Sequence, residues 1–485
     1  MNTPLLPRRA ARRVGVALLA ASVFLAFVAL GESGLPDPAT WTAGPFTNGE
    51  TGANAFNIPY AALNKEQVRV FADGHAQFNE EWVVAPARGV WGLGPTFNED
   101  RCAHCHVNNG RAVAPEGGFE AERGTLVRLS IPGKTKEGGP LPHPNYGEQL
   151  QNRGIDGRVP AEGRAVFRYR DKEVQFADGE TVSLRRPEIE FRDLQFGEIG
   201  KDTLLSIRLA QQVVGLGLLE AVPEAAILEI AKAQQSLGLA GRPNYVWDVE
   251  ADRRVLGRFG WKANQPSLRQ QIAAAFHGDI GATTYLFPEE NCPAAQNLCI
   301  ELPSASKCGG QGGCTGNMFR PEVVPSRLSN ITFYLQTLSV PARRNPNDPS
   351  VKRGEALFDE AQCSVCHVPE LRTGPKAYLA AAANLVIRPY TDLLLHDMGE
   401  ELADGRSDFE ASGREWRTAP LWGIGLTQTV SGHTFFLHDG RARNIERRRP
   451  TRVAAHGGEP VRGPSAERAG DAGRNAPAHP DPGRP

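Results

Sequence analysis

Methionine occurs three times and cysteine eight times in this chain of 485 residues. Eight cysteines are too few for a scaffold built on disulfides at this length. Charge of one sign is missing as well: 54 Lys+Arg against 55 Asp+Glu give a formal net charge of −1, which excludes the broad positive footprint of a nucleic-acid binder. Long apolar runs are confined to one place, Val14 to Gly31, so the rest of the chain has no second candidate for a membrane span. From Glu446 to Pro485 there is no Leu, Ile, Phe, Met, Tyr or Trp, and a segment so poor in large apolar side chains cannot bury enough surface to fold.

The length allows two to four domains at about 100 to 200 residues each. Gly (52) and Pro (37) point to much turn and irregular backbone. Arg8, Arg9, Arg12 and Arg13 precede the Val14–Gly31 run. This is the order of an export signal, and residues 1–31 are expected to be removed after Ala29-Leu30-Gly31. An uncleaved anchor is the competing reading, because eighteen residues nearly suffice to span a bilayer. Either way the body of the chain is expected in an oxidising, periplasmic compartment.

Four of the cysteines fall in Cys102-Ala-His-Cys105-His106 and Cys363-Ser-Val-Cys366-His367. Each is a C-x-x-C-H, the pattern of covalent c-type haem attachment. Two thiols two residues apart reach both vinyl groups of one porphyrin edge, and the adjacent histidine then lies beneath the iron. With 8 Cys and 11 His in the chain, accidental matches arise in roughly three sequences per thousand. His104, inside the first motif, reads as a residue of the attachment loop. Gly74-x-x-x-Phe78 and Gly354-x-x-x-Phe358 precede the two motifs. A glycine there would let the backbone approach the haem edge while the phenylalanine packs on the macrocycle, with Ser350 as N-cap of the second helix.

Between the motifs, short alternating runs from Gly124 to Arg192 read as strands and hairpins. Helical spacing marks Pro223–Gln235 and Ser326–Leu338. Cys292, Cys299, Cys308 and Cys314 sit in a Gly-, Ser- and Asn-rich loop; two disulfides are expected, and a metal site made of all four thiolates is the alternative. Pro341–Pro349 is the best linker.

The two motifs, together with Gly257-Arg-Phe-Gly-Trp-Lys-Ala-Asn-Gln-Pro266, Gly215-Leu-Gly-Leu-Leu-Glu-Ala-Val-Pro223, Trp416-Arg-Thr-Ala-Pro-Leu-Trp-Gly-Ile-Gly-Leu426 and Phe436-Leu-His-Asp-Gly-Arg-Ala442, resemble the bacterial di-haem oxidoreductases, which are distantly related to the di-haem cytochrome c peroxidases. The resemblance runs from about Asn48 to Asn444. It implies a mainly α fold with two cytochrome c-like haem domains. The N-terminal one would span 48–340, with a small β-rich insertion at about 124–192 and the cysteine-containing loop at 292–314. The C-terminal one would span 341–445, ahead of a disordered or abnormal tail at 446–485.

The resemblance also implies peroxide reduction at one haem, electrons from the other, and a small donor protein of the cytochrome or cupredoxin type. The alternative is a non-enzymatic electron-transfer cytochrome. Glu220 is the candidate acid–base, because the comparable position of the second unit is Gln428, though a carboxylate at a helix start is an alternative role. Trp261 is the candidate electron relay, with a plain core residue as its alternative. For the sixth ligands, Met398 leads at the second haem, with His396 and His438 behind it, while His75, His143, His277 or an open position serve the first. Calcium is left open as a further cofactor with no residues assigned.

Overall fold

In the computed structural model, helix α1 (Lys65–Asn79) starts where Asn64 accepts from the Gln67 amide and Gln67 returns the bond to the Asn64 amide, which satisfies two of the N–H groups that a helix start leaves open. The structure describes residues 40–85, 90–121, 123–175, 179, 181–302 and 321–445. The signal segment, the tail at 446–485, Cys308 and Cys314 therefore lie outside the described residues.

After α1 come α2 (Cys102–Cys105), α3 (Leu216–Glu220), α4 (Glu224–Ser236), α5 (Leu268–Ala275), α6 (Asn297–Glu301), α7 (Pro325–Gln336), α8 (Pro349–Glu360) and α9 (Thr427–Ser431). Four of these have five residues or fewer, and helix makes up 26% of the structure against 22% strand. The expectation of a mainly α, cytochrome c-like fold is thus wrong. After a short β1 (Thr47–Asn48), the chain forms several small sheets. Strand β2 (Thr125–Lys134) is flanked by a two-residue strand at Pro140–Leu141 and by β5 (Leu204–Leu209), and β3 (Arg164–Gln175) pairs with β4 (Thr181–Arg192) over twelve residues each. Period-two alternation, as in Val127 and Leu129, puts alternate side chains into a core with Phe167 and Tyr146. The strands thus extend past Arg192.

The largest core gathers Phe46, Phe56 and Tyr60 with Leu218, Leu219 and Ile227 and with Ile387, Leu393, Leu394 and Trp422. A parallel pair, β1 with β6 (Val340–Pro341), is stitched into it. A second core joins α1, α5 and α7 through Phe71, Phe78, Ile272, Phe276, Leu328 and Leu335, and Cys102 and Ala103 pack against it.

Gly74 has a different purpose from the one its spacing suggested. A Cβ there would stand 2.2 Å from Asn330 O and 2.7 Å from Tyr334 Cβ, so the glycine permits the close crossing of α1 and α7. The N-cap of α8 is Asp348, whose side chain accepts from Ser350 N, and Ser350 itself is the second residue of the helix.

Candidate functional site

The two C-x-x-C-H segments share one local geometry. The amide of His106 donates to Cys102 O at 3.0 Å and that of His367 to Cys363 O at 2.9 Å, which winds each motif into a single turn. Nδ1 of His106 donates to Gln211 O at 2.6 Å, and Nδ1 of His367 to Tyr390 O at 3.0 Å. A carbonyl can only accept, so each ring carries its proton on Nδ1, the tautomer whose Nε2 lone pair can ligate a metal. Phe78 tilts against His106 at 6.1 Å and Phe358 against His367 at 6.3 Å between ring centroids. Burial lowers the pKa of His106 and keeps the ring in the neutral form that ligates.

Cys102, Cys105, Cys363 and Cys366 are all unpaired thiols. Burial, reinforced by the negative charge of Asp279, pushes the Cys102 thiol up to about 12 and raises Cys105 as well. In the absence of a bound group both cysteines are therefore held as neutral thiols. Thiols side by side, unbridged and followed by an oriented histidine, fit haem in both places.

Around the first motif, His104 Nδ1 stands between Glu99 Oε2 (3.1 Å) and Asp100 Oδ1 (2.9 Å). A cleft of about 780 Å³ opens beside it, lined by Trp82, Phe97, Asp100 and Arg153. His75 lies edge-on to Tyr334 at 5.5 Å, and Tyr334 also meets Phe78 at 5.5 Å, so His75 shares an aromatic cluster with the His106 surroundings. His143 accepts from the Asn145 amide, and His277 stacks on Phe287.

Around the second motif, His396 Nδ1 stands 3.7 Å from Cys366 Sγ and its Nε2 2.8 Å from Asp392 Oδ2. These three residues bring a sulfur, a nitrogen and an oxygen within 4.8 Å of one another. Met398 directly follows the strand β7 (Leu395–Asp397), two residues from His396, and its amide donates to Arg414 O. His438 stacks on Trp416, the cross-strand partner of His396, with centroids 3.7 Å apart.

Glu220 ends α3, which follows a left-handed Gly215 (φ 67°); the comparable Gly423 (φ 70°) likewise opens a short helical turn. The Glu220 carboxylate accepts from Leu268 N at 2.8 Å, at the start of α5, and from Gln336 Nε2 at 2.7 Å. Gln428, by contrast, is exposed. Trp261 is buried, donates from Nε1 to Leu209 O at 2.8 Å, and lies 6.4 Å from His438 and 5.3 Å from the Arg111 guanidinium. Its neighbour Lys262 is caged by Asp404, Arg406 O and Ser412 O, and burial lowers its pKa to about 8.

Sequence reasoning missed the histidine acceptors Gln211 and Tyr390, since a main-chain oxygen leaves no residue signature. It also missed Asp279, a half-buried acid in the one-turn π-helix Phe276–Ile280, whose pKa is raised by desolvation. The disulfide Cys292–Cys299 is formed within the loop read as disulfide-rich.

The family described as "Di-haem oxidoreductase, putative peroxidase" matches residues 39–467. No curated protein and no solved structure matches the chain.

Proposed function

The chain belongs to the di-haem oxidoreductase family, and on that premise we propose that it is an exported c-type enzyme that reduces peroxide with electrons from a small donor protein. Cys102, Cys105 and His106 would hold one haem and Cys363, Cys366 and His367 the other. Bound there, the first would supply a peroxide-binding iron and the second a store of electrons. The observation that carries this reading is the shared posture of His106 and His367, each with Nδ1 on a main-chain oxygen.

Reduction of hydrogen peroxide to two waters takes two electrons and two protons, so a group that moves protons is required. Glu220 is assigned that task, with Trp261 as an aromatic on the electron route. Export is supported by the Arg-rich start of the sequence and by the Cys292–Cys299 disulfide. Among the described residues no helix is long and apolar enough to cross a membrane.

Optical and EPR spectra of the oxidised and half-reduced protein test the proposal. A high-spin haem that reacts with peroxide is expected in one of these states. Two low-spin, peroxide-inert haems in both would replace it with a non-enzymatic electron-transfer cytochrome.

A further inference from the structure

Arg417, on strand β8 (Glu415–Arg417), is 7% exposed, and among the described residues the hydrogen-bond partners of its guanidinium are neutral. Nε donates to Gly260 O at 2.9 Å, one terminal nitrogen to Thr418 O at 3.2 Å and the other to Gln211 Oε1 at 3.1 Å. The other buried cations of this region have carboxylates at hand: Arg208 and Arg406 on Asp408, and Lys262 on Asp404. The carboxylate that reaches Arg417 electrostatically is Asp392. Its oxygens already accept from Gln234, His396 and Leu394 N.

A guanidinium has five N–H groups, so three bonds leave two of them for a ligand. A buried charge with no carboxylate hydrogen-bonded to it is costly, by several kcal/mol. A site of this kind favours an anion.

Its neutral partners belong to the two segments that orient the motif histidines. Gln211 offers its side-chain oxygen to Arg417 and its main-chain oxygen to His106. Thr418 O accepts both from Arg417 and from the Thr391 hydroxyl at 2.5 Å, and Thr391 follows Tyr390, whose oxygen takes the proton of His367. One side chain thus links the acceptor of one histidine to that of the other.

We propose that Arg417 is a cation shared by the two haem sites, taking a haem propionate carboxylate with its remaining N–H groups and tying the orientation of His106 to that of His367. The proposal rests on the two-haem reading. A fixed positive charge disfavours the more positive, oxidised iron, so Arg417 raises the reduction potential of both haems.

The test is a spectroelectrochemical titration of the full-length holoprotein, with haem content measured on the same samples. Arg417→Gln is expected to retain two haems and to lower the reduction equilibrium constant of each by about tenfold, equivalent to about 59 mV for a one-electron couple. Arg417→Lys, which keeps the charge, is expected to stay closer to the wild type. Gln211→Glu supplies a counter-charge of nearly the same shape and is expected to lower the potential of the His106 haem.

An unchanged potential at either haem in Arg417→Gln overturns the proposal. If that variant does not accumulate with both haems, an unchanged His106-haem potential in Gln211→Glu overturns it instead. A wild type without two covalent haems would defeat the two-haem reading itself. A wild type with both haems that ignores peroxide would defeat only the peroxidase assignment.

Discussion

His106 and Gln211 stand 105 positions apart in the chain, yet the Nδ1 hydrogen of the one points at the main-chain oxygen of the other across 2.6 Å. That bond decides which ring nitrogen carries the proton, and Tyr390 does the same for His367. Replacing Cys102 and Cys105 together by alanine is expected to halve the covalently bound haem, from two per chain to one, in a pyridine haemochrome assay. Replacing Cys363 and Cys366 should give the same half-loss. Full haem content in either double variant would exclude that motif as an attachment point.

Glu220 accepts two hydrogen bonds, from Leu268 N and Gln336. In Glu220→Gln one acceptor oxygen becomes an amide donor facing another donor, so a loss of about 1–3 kcal/mol in thermal or denaturant unfolding is expected. As the acid–base it should also slow peroxide turnover by about 10²- to 10⁴-fold at unchanged haem content. A lower melting temperature with unaltered turnover would leave Glu220 as an anchor for α5 and no more.

The two motifs were legible in the sequence because all five residues of each lie side by side. What orients them was not, because Gln211 and Tyr390 act through backbone oxygens that any residue carries. Gly74 shows a second kind of failure. Its spacing to Phe78 resembles that of Gly354 to Phe358, but the space its missing side chain leaves is taken by α7, an element some 250 residues away. The fold class failed for a third reason. Twelve-residue strands such as Arg164–Gln175 expose most of their outer half, so their apolar alternation fades and the hairpin is underestimated.

Gly74→Ala tests the helix crossing. The added methyl would meet Asn330 O and Tyr334 Cβ well inside contact distance, so α1 and α7 must separate. A cost of about 1–3 kcal/mol is expected in equilibrium unfolding. An unchanged midpoint would show that the crossing is loose.

His438 gives a pH dependence with a definite sign. Burial, the largest influence, lowers its pKa from 6.5 to about 4 in spite of the opposing charge of Asp439. Unfolded, the ring takes up a proton near 6.5; folded, it does so only near 4. Its contribution is therefore fully present above pH 6.5 and is lost as pH falls toward 4, by about 3 kcal/mol in all. His438→Phe, which keeps a ring against Trp416, should flatten the fall in melting temperature between pH 6.5 and 4. Parallel curves for variant and wild type would remove His438 from the account.

The largest core has a consequence for the timing of synthesis. Phe46 and Phe56 near the start of the folded body are covered by Leu393, Leu394, Trp422 and Leu426 near its end. Contacts so distant along the chain close slowly. As the chain is synthesised, the first C-x-x-C-H therefore emerges long before that core is complete. On the two-haem reading, that interval leaves both thiols of the motif open to haem attachment before the finished fold buries Cys105 and half-buries Cys102.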